Sequence, residues 1–228
     1  MSKSKIVVLT GAGMSAESGI RTFRDADGLW EGHDVMQVAS PQGWRANQDL
    51  VLDFYNQRRR QLLTVKPNAA HYALTELEDK YDVTIITQNI DDLHERAGSS
   101  DVVHLHGELL KARSSVDETL VMSWDKDILT GDLCEKKSQL RPHVVWFGEA
   151  VPMIEVAMQI TTQADYIVII GTSMQVYPAA SLMHYAKNDA RIFFIDPRPS
   201  INPGKNLEVI AENATVGVPI VVAQLLNI

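Results

Sequence analysis

The residues best suited to chemistry fall in a handful of short blocks. The first, Gly11-Ala12-Gly13-Met14-Ser15-Ala16-Glu17, directly follows the apolar run Lys5–Thr10. This is the G-x-G-x-x-A form of a dinucleotide-binding turn, with Ala16 last. Its glycines let the backbone approach a pyrophosphate, and N–H groups at a helix N-terminus face the anion. A loop follows, carrying Phe23, Arg24 and Trp30. Arginine and aromatic side chains there could fold over a dinucleotide and exclude water; a surface loop anchored by Phe23 and Trp30 fits equally. Gln88-Asn89-Ile90-Asp91 follows the strand-like Asp82–Thr87. Two amides and a carboxylate at the carboxyl end of a strand suit a carboxamide such as nicotinamide. Asn89 and Asp91 would also serve as helix caps.

His104 and His106 come next, and a strand would place both on one face. Imidazole titrates near neutrality and suits a general base, although a histidine at a strand end is often only hydrogen-bonded. His-x-His also suggests a metal, but no further ligand with suitable spacing follows. Pro142–Glu149 ends a strand in aromatics, Gly171-Thr172-Ser173 sets small hydroxyl residues past another, and Asp196 could bond a ribose hydroxyl. Any of these alone is compatible with ordinary turn chemistry.

The elements that must position them alternate strand and helix. Strands are expected at Lys5–Thr10, Asp82–Thr87, Asp101–Leu105, Pro142–Phe147, Tyr166–Ile170, Arg191–Ile195 and Ala214–Val216. Helices are expected near Ser15–Gly19, Asp49–Leu63, Asn68–Asp79, Pro152–Ala164, Ala179–Lys187 and Pro219–Leu226. Ile20–Pro41 reads as a long ordered loop. Near-continuous apolar strands separated by helices imply an α/β fold, a Rossmann-like doubly wound parallel sheet, with a small inserted module. One domain spans 1–228: a large part from 1–20, 68–110 and 141–228, and a small part from 21–67 and 111–140.

Composition narrows the function classes. The 228 residues carry a net charge of −8 and are 45% hydrophobic and 22% charged, an ordinary globular balance. No long basic run favours nucleic acid, and no apolar run approaches the roughly 20 residues of a membrane span. The first strand starts too near Met1 for a leader, and one cysteine, Cys134, excludes an internal disulfide framework. A cytoplasmic monomer acting on proteins is the expectation.

Taken together, GAGMSAESGIRTFRDADGLW, TQNIDDLHERAG, HLHGE, RPHVVWFGE and GTSMQVYPAA resemble the sirtuins, NAD-dependent protein lysine deacylases, in order and over nearly the whole chain. The resemblance implies NAD held by Gly11, Ala12, Gly13, Ser15, Ala16, Glu17, Phe23, Arg24 and Trp30, with Gln88, Asn89, Ile90 and Asp91 on the nicotinamide and its ribose. Gly171, Thr172, Ser173, Asp196 and Ala214 would hold the adenosine half. His106 would be the general base, with Asn89 and Asp91 beside it in the catalytic set. Val145, Trp146, Phe147 and Gly148 would wall the acyl-lysine tunnel. In the family's mechanism the acyl oxygen attacks the ribose carbon as nicotinamide leaves, and O-acyl-ADP-ribose and free lysine follow.

Tyr55 and Arg58, at i and i+3, resemble the Tyr-x-x-Arg pair of class III sirtuins that receives the carboxylate of succinyl- or malonyl-lysine. Without the family, Arg58-Arg59-Arg60 would read as a solvated basic face. The chain departs from the family in its small module, where typical members bind zinc through two Cys-x-x-Cys pairs. Here Ser114 and Cys134 stand at those places, and one thiolate cannot close a tetrahedral site. No zinc is expected; Leu120, Met122, Trp124, Ile128 and Leu133 would supply the packing instead. Mono-ADP-ribosyl transfer, NAD hydrolysis and a non-catalytic NAD-binding module remain as alternatives, with a dehydrogenase as the fallback from the glycine turn alone.

Overall fold

The computed structural model describes residues 3–20, 29, 30 and 32–228. Phe23 and Arg24 lie outside the described residues. The described residues form a six-stranded parallel sheet from β1 (Lys5–Thr10), β4 (Asp82–Thr87), β5 (Val102–His104), β9 (Tyr166–Ile170), β10 (Arg191–Ile195) and β11 (Leu207–Ile210). Its order is β11-β10-β9-β1-β4-β5, so the chain winds outward from β1 first one way and then the other. Strand alternation sends the apolar residues of β1 to both faces. Ile6 and Val8 pack with α5 (Ala69–Thr75) and α8 (Ala214–Leu226). Val7 and Leu9 pack with α7 (Ile154–Thr161) and a 3-10 helix, Ala179–Tyr185. This is the Rossmann-like α/β architecture expected from the strand runs.

A second apolar cluster holds the small part together. Here α2 (Val35–Val38), α3 (Pro41–Ala46) and α4 (Gln48–Leu62) cover a three-stranded antiparallel sheet, β7-β6-β8. Its strands are β6 (Gly107–Ser114), β7 (Val121–Ser123) and β8 (Leu140–Val144). Asn47 caps α4 by accepting from Leu50 N, and Val51, Leu52, Phe54, Tyr55, Arg59 and Leu62 recur at helical spacing on its buried face. Leu63, expected on that face, is exposed, and the middle arginine of the basic run, Arg59, is fully buried. Arg59 Nε donates to Leu109 O at 3.1 Å and Nη1 to Asn56 Oδ1 at 2.7 Å, so the helix is pinned to β6 through an arginine.

Several elements differ from the sequence reading. The strand expected at Ala214–Val216 is the first turn of α8, and Pro219 lies inside that helix. Glu17, about two hundred residues away, caps this turn by accepting from Thr215 N at 3.0 Å and Thr215 Oγ1 at 2.7 Å. No local pattern could reveal such a cap. The strand expected at Pro142–Phe147 runs over Leu140–Val144 and pairs antiparallel with β6 instead of joining the parallel sheet. A first helix, α1, covers Gly13–Ala16, inside the glycine turn rather than after it. The loop Ile20–Pro41 contains α2 and a short hairpin of β2 (Leu29–Trp30) with β3 (His33–Asp34).

In the small module, Leu120, Met122 and Trp124 pack on the core and Ile128 is buried, but Leu133 is 54% exposed. Its neighbour Cys134 takes the inward position, with Sγ 3.2 Å from Ser114 Oγ and 3.4 Å from Ser138 Oγ. No described helix is long and apolar enough to cross a membrane.

Candidate active site

The sheet's order reverses between β1 and β9, and the loops leaving those strands flank the switch point. Gly11 N donates to Ile170 O at 3.0 Å and Gly13 N to Gly171 O at 2.9 Å, which brings the two loop backbones into contact. A Cβ on Gly13 would sit 2.6 Å from Gly171 Cα, and Gly171 itself has φ +58°. Glycine is therefore required here by the approach of one strand-end loop to another, a constraint additional to any ligand.

Above this seam lies a cavity of about 470 Å³ between the sheet and the small part. One wall is the glycine turn: Gly11, Ala12, Gly13, Ser15, Ala16 and Glu17. A second comprises Gly171, Thr172, Ser173, Asp196 and Ala214, and the floor carries Gln88, Asn89, Ile90, Asp91 and His106. The small part closes it with Trp30, Tyr55, Val145, Trp146, Phe147 and Gly148. Every described residue expected at the site lines this cavity except Arg58. Its guanidinium instead donates to Phe54 O at 2.6 Å and lies 3.5 Å over the Phe54 ring. Ile20, Ala39, Glu149, Val176 and Arg198 also line the cavity and were missed: Ala39 and Arg198 belong to no motif block, and Ile20, Glu149 and Val176 lie within blocks but were given no role.

Hydrogen bonds reaching across the sheet hold the floor. Thr10 Oγ1 donates to Thr87 Oγ1 at 2.8 Å, and Thr87 Oγ1 accepts from Asn89 N at 3.0 Å. Asn89 Nδ2 donates to Gly11 O at 3.1 Å, tying the amide loop to the glycine turn. Asp91 is 5% exposed, and burial raises its carboxyl pKa to about 6 even though it accepts from Leu93 N at 3.2 Å. That bond places Asp91 just ahead of α6 (Leu93–Ala97), whose N-cap residue Asp92 makes no side-chain cap of its own.

The two histidines part company. β5 ends at His104, whose Nε2 meets Glu95 Oε1 at 2.6 Å; burial alone would lower its pKa, but Glu95 holds it raised. His106 lies past the strand, followed by Gly107 at φ +80°, where a Cβ would meet His143 O at 2.2 Å. Nδ1 of His106 is 3.0 Å from Gln88 O. A carbonyl only accepts, so Nδ1 carries the proton and Nε2 keeps its lone pair. Burial lowers the His106 pKa, which favours that neutral form.

A family model described as the Sir2 family matches residues 11–178. The chain belongs to the Sir2 family. A Helicobacter pylori protein named NAD-dependent protein deacylase is 62% identical over 210 residues, 92% of each chain. The structure of a Sir2 homologue–NAD complex aligns with TM-score 0.88 at 38% identity, covering 99% of this chain and 90% of that one. A structure of Sir2 bound to acetylated peptide aligns with TM-score 0.80 at 26% identity, covering 97% and 93%.

The site's residues fit the cofactor this Sir2 fold implies. Backbone and glycine line the phosphate-facing turn, amides and Asp91 crowd the floor, and Asp196, 5% exposed, stands past β10. They do not fit the zinc of typical members. The Cys134 thiol meets the hydroxyls of Ser114 and Ser138, and among the described residues no group of three or more His, Cys, Asp or Glu could hold a metal ion.

Proposed function

We propose that this NAD-dependent protein deacylase removes succinyl and malonyl as well as acetyl groups from lysine, releasing nicotinamide and O-acyl-ADP-ribose. The observation carrying this reading is Tyr55, a buried phenol in the wall of the cavity, with Arg58 one helical turn along the same face of α4. Tyr55 OH accepts from Trp146 Nε1 at 3.0 Å, which leaves its own proton to donate. An acyl carboxylate would give the Arg58 guanidinium a charge-assisted partner of matching geometry.

When bound, NAD supplies the ribose carbon that receives the acyl oxygen and a leaving nicotinamide. The chain's part is orientation and charge. Asn89 and Asp91 would hold the carboxamide and ribose from the floor, and the Asp91 carboxylate would offset positive charge on the ribose. His106 Nε2 takes a ribose hydroxyl proton. Gly171, Thr172, Ser173, Asp196 and Ala214 hold the adenosine half, while Val145 to Gly148 flank the acyl-lysine. Val145 N donates to His106 O at 2.9 Å and Phe147 N to Ala39 O at 3.0 Å, so this wall is strung between the general base and the small part.

The small module folds without zinc in this reading, its place taken by Ile128, Cys134 and Leu140 packing and the Ser114–Cys134–Ser138 contacts. The test is nicotinamide release with matched acetyl-, succinyl- and malonyl-lysine peptides, in the parent, Arg58→Met and His106→Ala. Selective loss of succinyl and malonyl turnover in Arg58→Met supports the acyl-carboxylate pocket. Release without any peptide would move the reading to NAD hydrolysis or ADP-ribosyl transfer.

A further inference from the structure

Behind the Trp146 wall lies a buried charged cluster that the proposed reaction does not use. Arg113 and Arg141 are 5% and 7% exposed. Both meet one carboxylate: Arg141 Nη1 is 2.7 Å from Glu149 Oε1, and Arg113 Nη2 is 3.2 Å from Glu149 Oε2. Among the described residues, neither guanidinium pairs with a second carboxylate, and the Nε of each has no hydrogen-bond partner. Nearby His143 stays uncharged, because burial and then Arg113 lower its pKa. Two cations and one anion leave a surplus positive charge in the protein interior, a costly arrangement unless something answers it.

One indole separates the two arginines from the cavity, which Glu149 itself reaches at its edge. Arg141 Cζ lies 3.2 Å from the Trp146 ring centroid, and Arg141 Nη2 donates to Val144 O at 3.0 Å. The other edge of that ring donates to Tyr55 OH, while Trp146 N donates to Glu149 Oε2 at 2.8 Å. Trp146 is thus held by its face, its edge and its backbone between the cluster and the cavity. We propose that Arg141, backed by Arg113, is a specificity-determining residue for acidic acyl groups, the net positive charge of the cluster acting across Trp146 as counter-charge to the substrate carboxylate. This rests on the acidic-acyl reading of Tyr55 and Arg58. The response of Tyr55 agrees: burial raises its pKa, and among the charges that pull it back Arg141 stands ahead of Arg58, with Glu149 opposing both.

The experiment is the ratio of kcat/KM for succinyl- over acetyl-lysine peptides in four variants. Arg141→Met removes the charge and lowers the ratio roughly tenfold, as a full charge acting at this range through protein would. Arg141→Lys restores most of the ratio. Glu149→Gln enlarges the surplus and raises the ratio above the parent's, whereas a merely structural role would depress both peptides alike. Should Arg141→Met fail to fold, Glu149→Gln and Arg141→Lys decide the matter. A ratio unmoved in Glu149→Gln and Arg141→Met overturns the inference. If Arg58→Met alone abolishes succinyl turnover, the reading of Tyr55 and Arg58 survives without it. Absence of succinyl turnover in the parent overturns both.

Discussion

Replacing Asp91 with Asn should stabilise the unliganded protein while crippling its turnover. The carboxylate is 5% exposed, and burial lifts its pKa from 3.8 to about 6. Two pH units of displacement cost about 3 kcal/mol wherever the group is ionised in both states. Above pH 6 the folded protein carries that cost in full. Between about pH 4 and pH 6 the folded state binds more protons than the unfolded state, so stability rises as pH falls. An Asn keeps an oxygen for Leu93 N, now a neutral acceptor, at a loss of about 1 kcal/mol. At pH 7.5 the variant is then more stable by about 2 kcal/mol, a rise in Tm of roughly 4–8 °C for a chain of this size. Urea unfolding of parent and variant at pH 5 and pH 7.5 measures it. The parent should gain about 1.4 kcal/mol relative to the variant on going to pH 5. Equal responses in the two proteins would mean that the carboxylate is hydrated, and the argument that its charge is kept for catalysis would fall.

Three further outcomes follow from the geometry. Gly171→Ala puts a Cβ within 2.5 Å of Gly13 C and Met14 N at a φ of +58°, so it should cost on the order of 2–4 kcal/mol in urea unfolding and abolish nucleotide binding; a neutral variant would refute the close seam between the two loops. Because burial lowers the His106 pKa, deacylation should keep its rate at pH values below the ordinary imidazole range near 6.5, and an acid limb centred above that range would contradict the assigned tautomer and burial. Chelators should leave the melting temperature unchanged, and Cys134→Ser should cost no more than about 1 kcal/mol, since a serine hydroxyl can keep the bonds to Ser114 and Ser138; a chelator-induced drop would reveal a metal.

Much of the cavity was legible because motif blocks at strand ends are local objects. Gly11–Glu17, Gln88–Asp91 and Gly171–Ser173 each follow an apolar run that stops at a turn, and a parallel sheet gathers such turns at one edge. What failed to read correctly depended on distant partners. The run Ala214–Val216 carries two β-branched residues, Thr215 and Val216, but Glu17 caps it as a helix start. His104 and His106 look alike in sequence, yet a strand end and Gly107 send one to Glu95 and the other to Gln88. The three arginines 58–60 have three fates: stacked on Phe54, buried against Leu109, and paired with Asp127.

The amino-acid sequence by itself determined the strands, the turns that end them, the residue types available for chemistry and the single thiol of the small module. These follow from short-range periodicity and from glycine, proline and cysteine placement. Tertiary structure alone decided the protonation states and charges. The raised carboxyl of Asp91, the tautomer of His106, the second duty of Gly13 against Gly171 and the two arginines gathered on Glu149 behind Trp146 all arise from desolvation and contact. Those are properties of surroundings that exist only once the fold has closed.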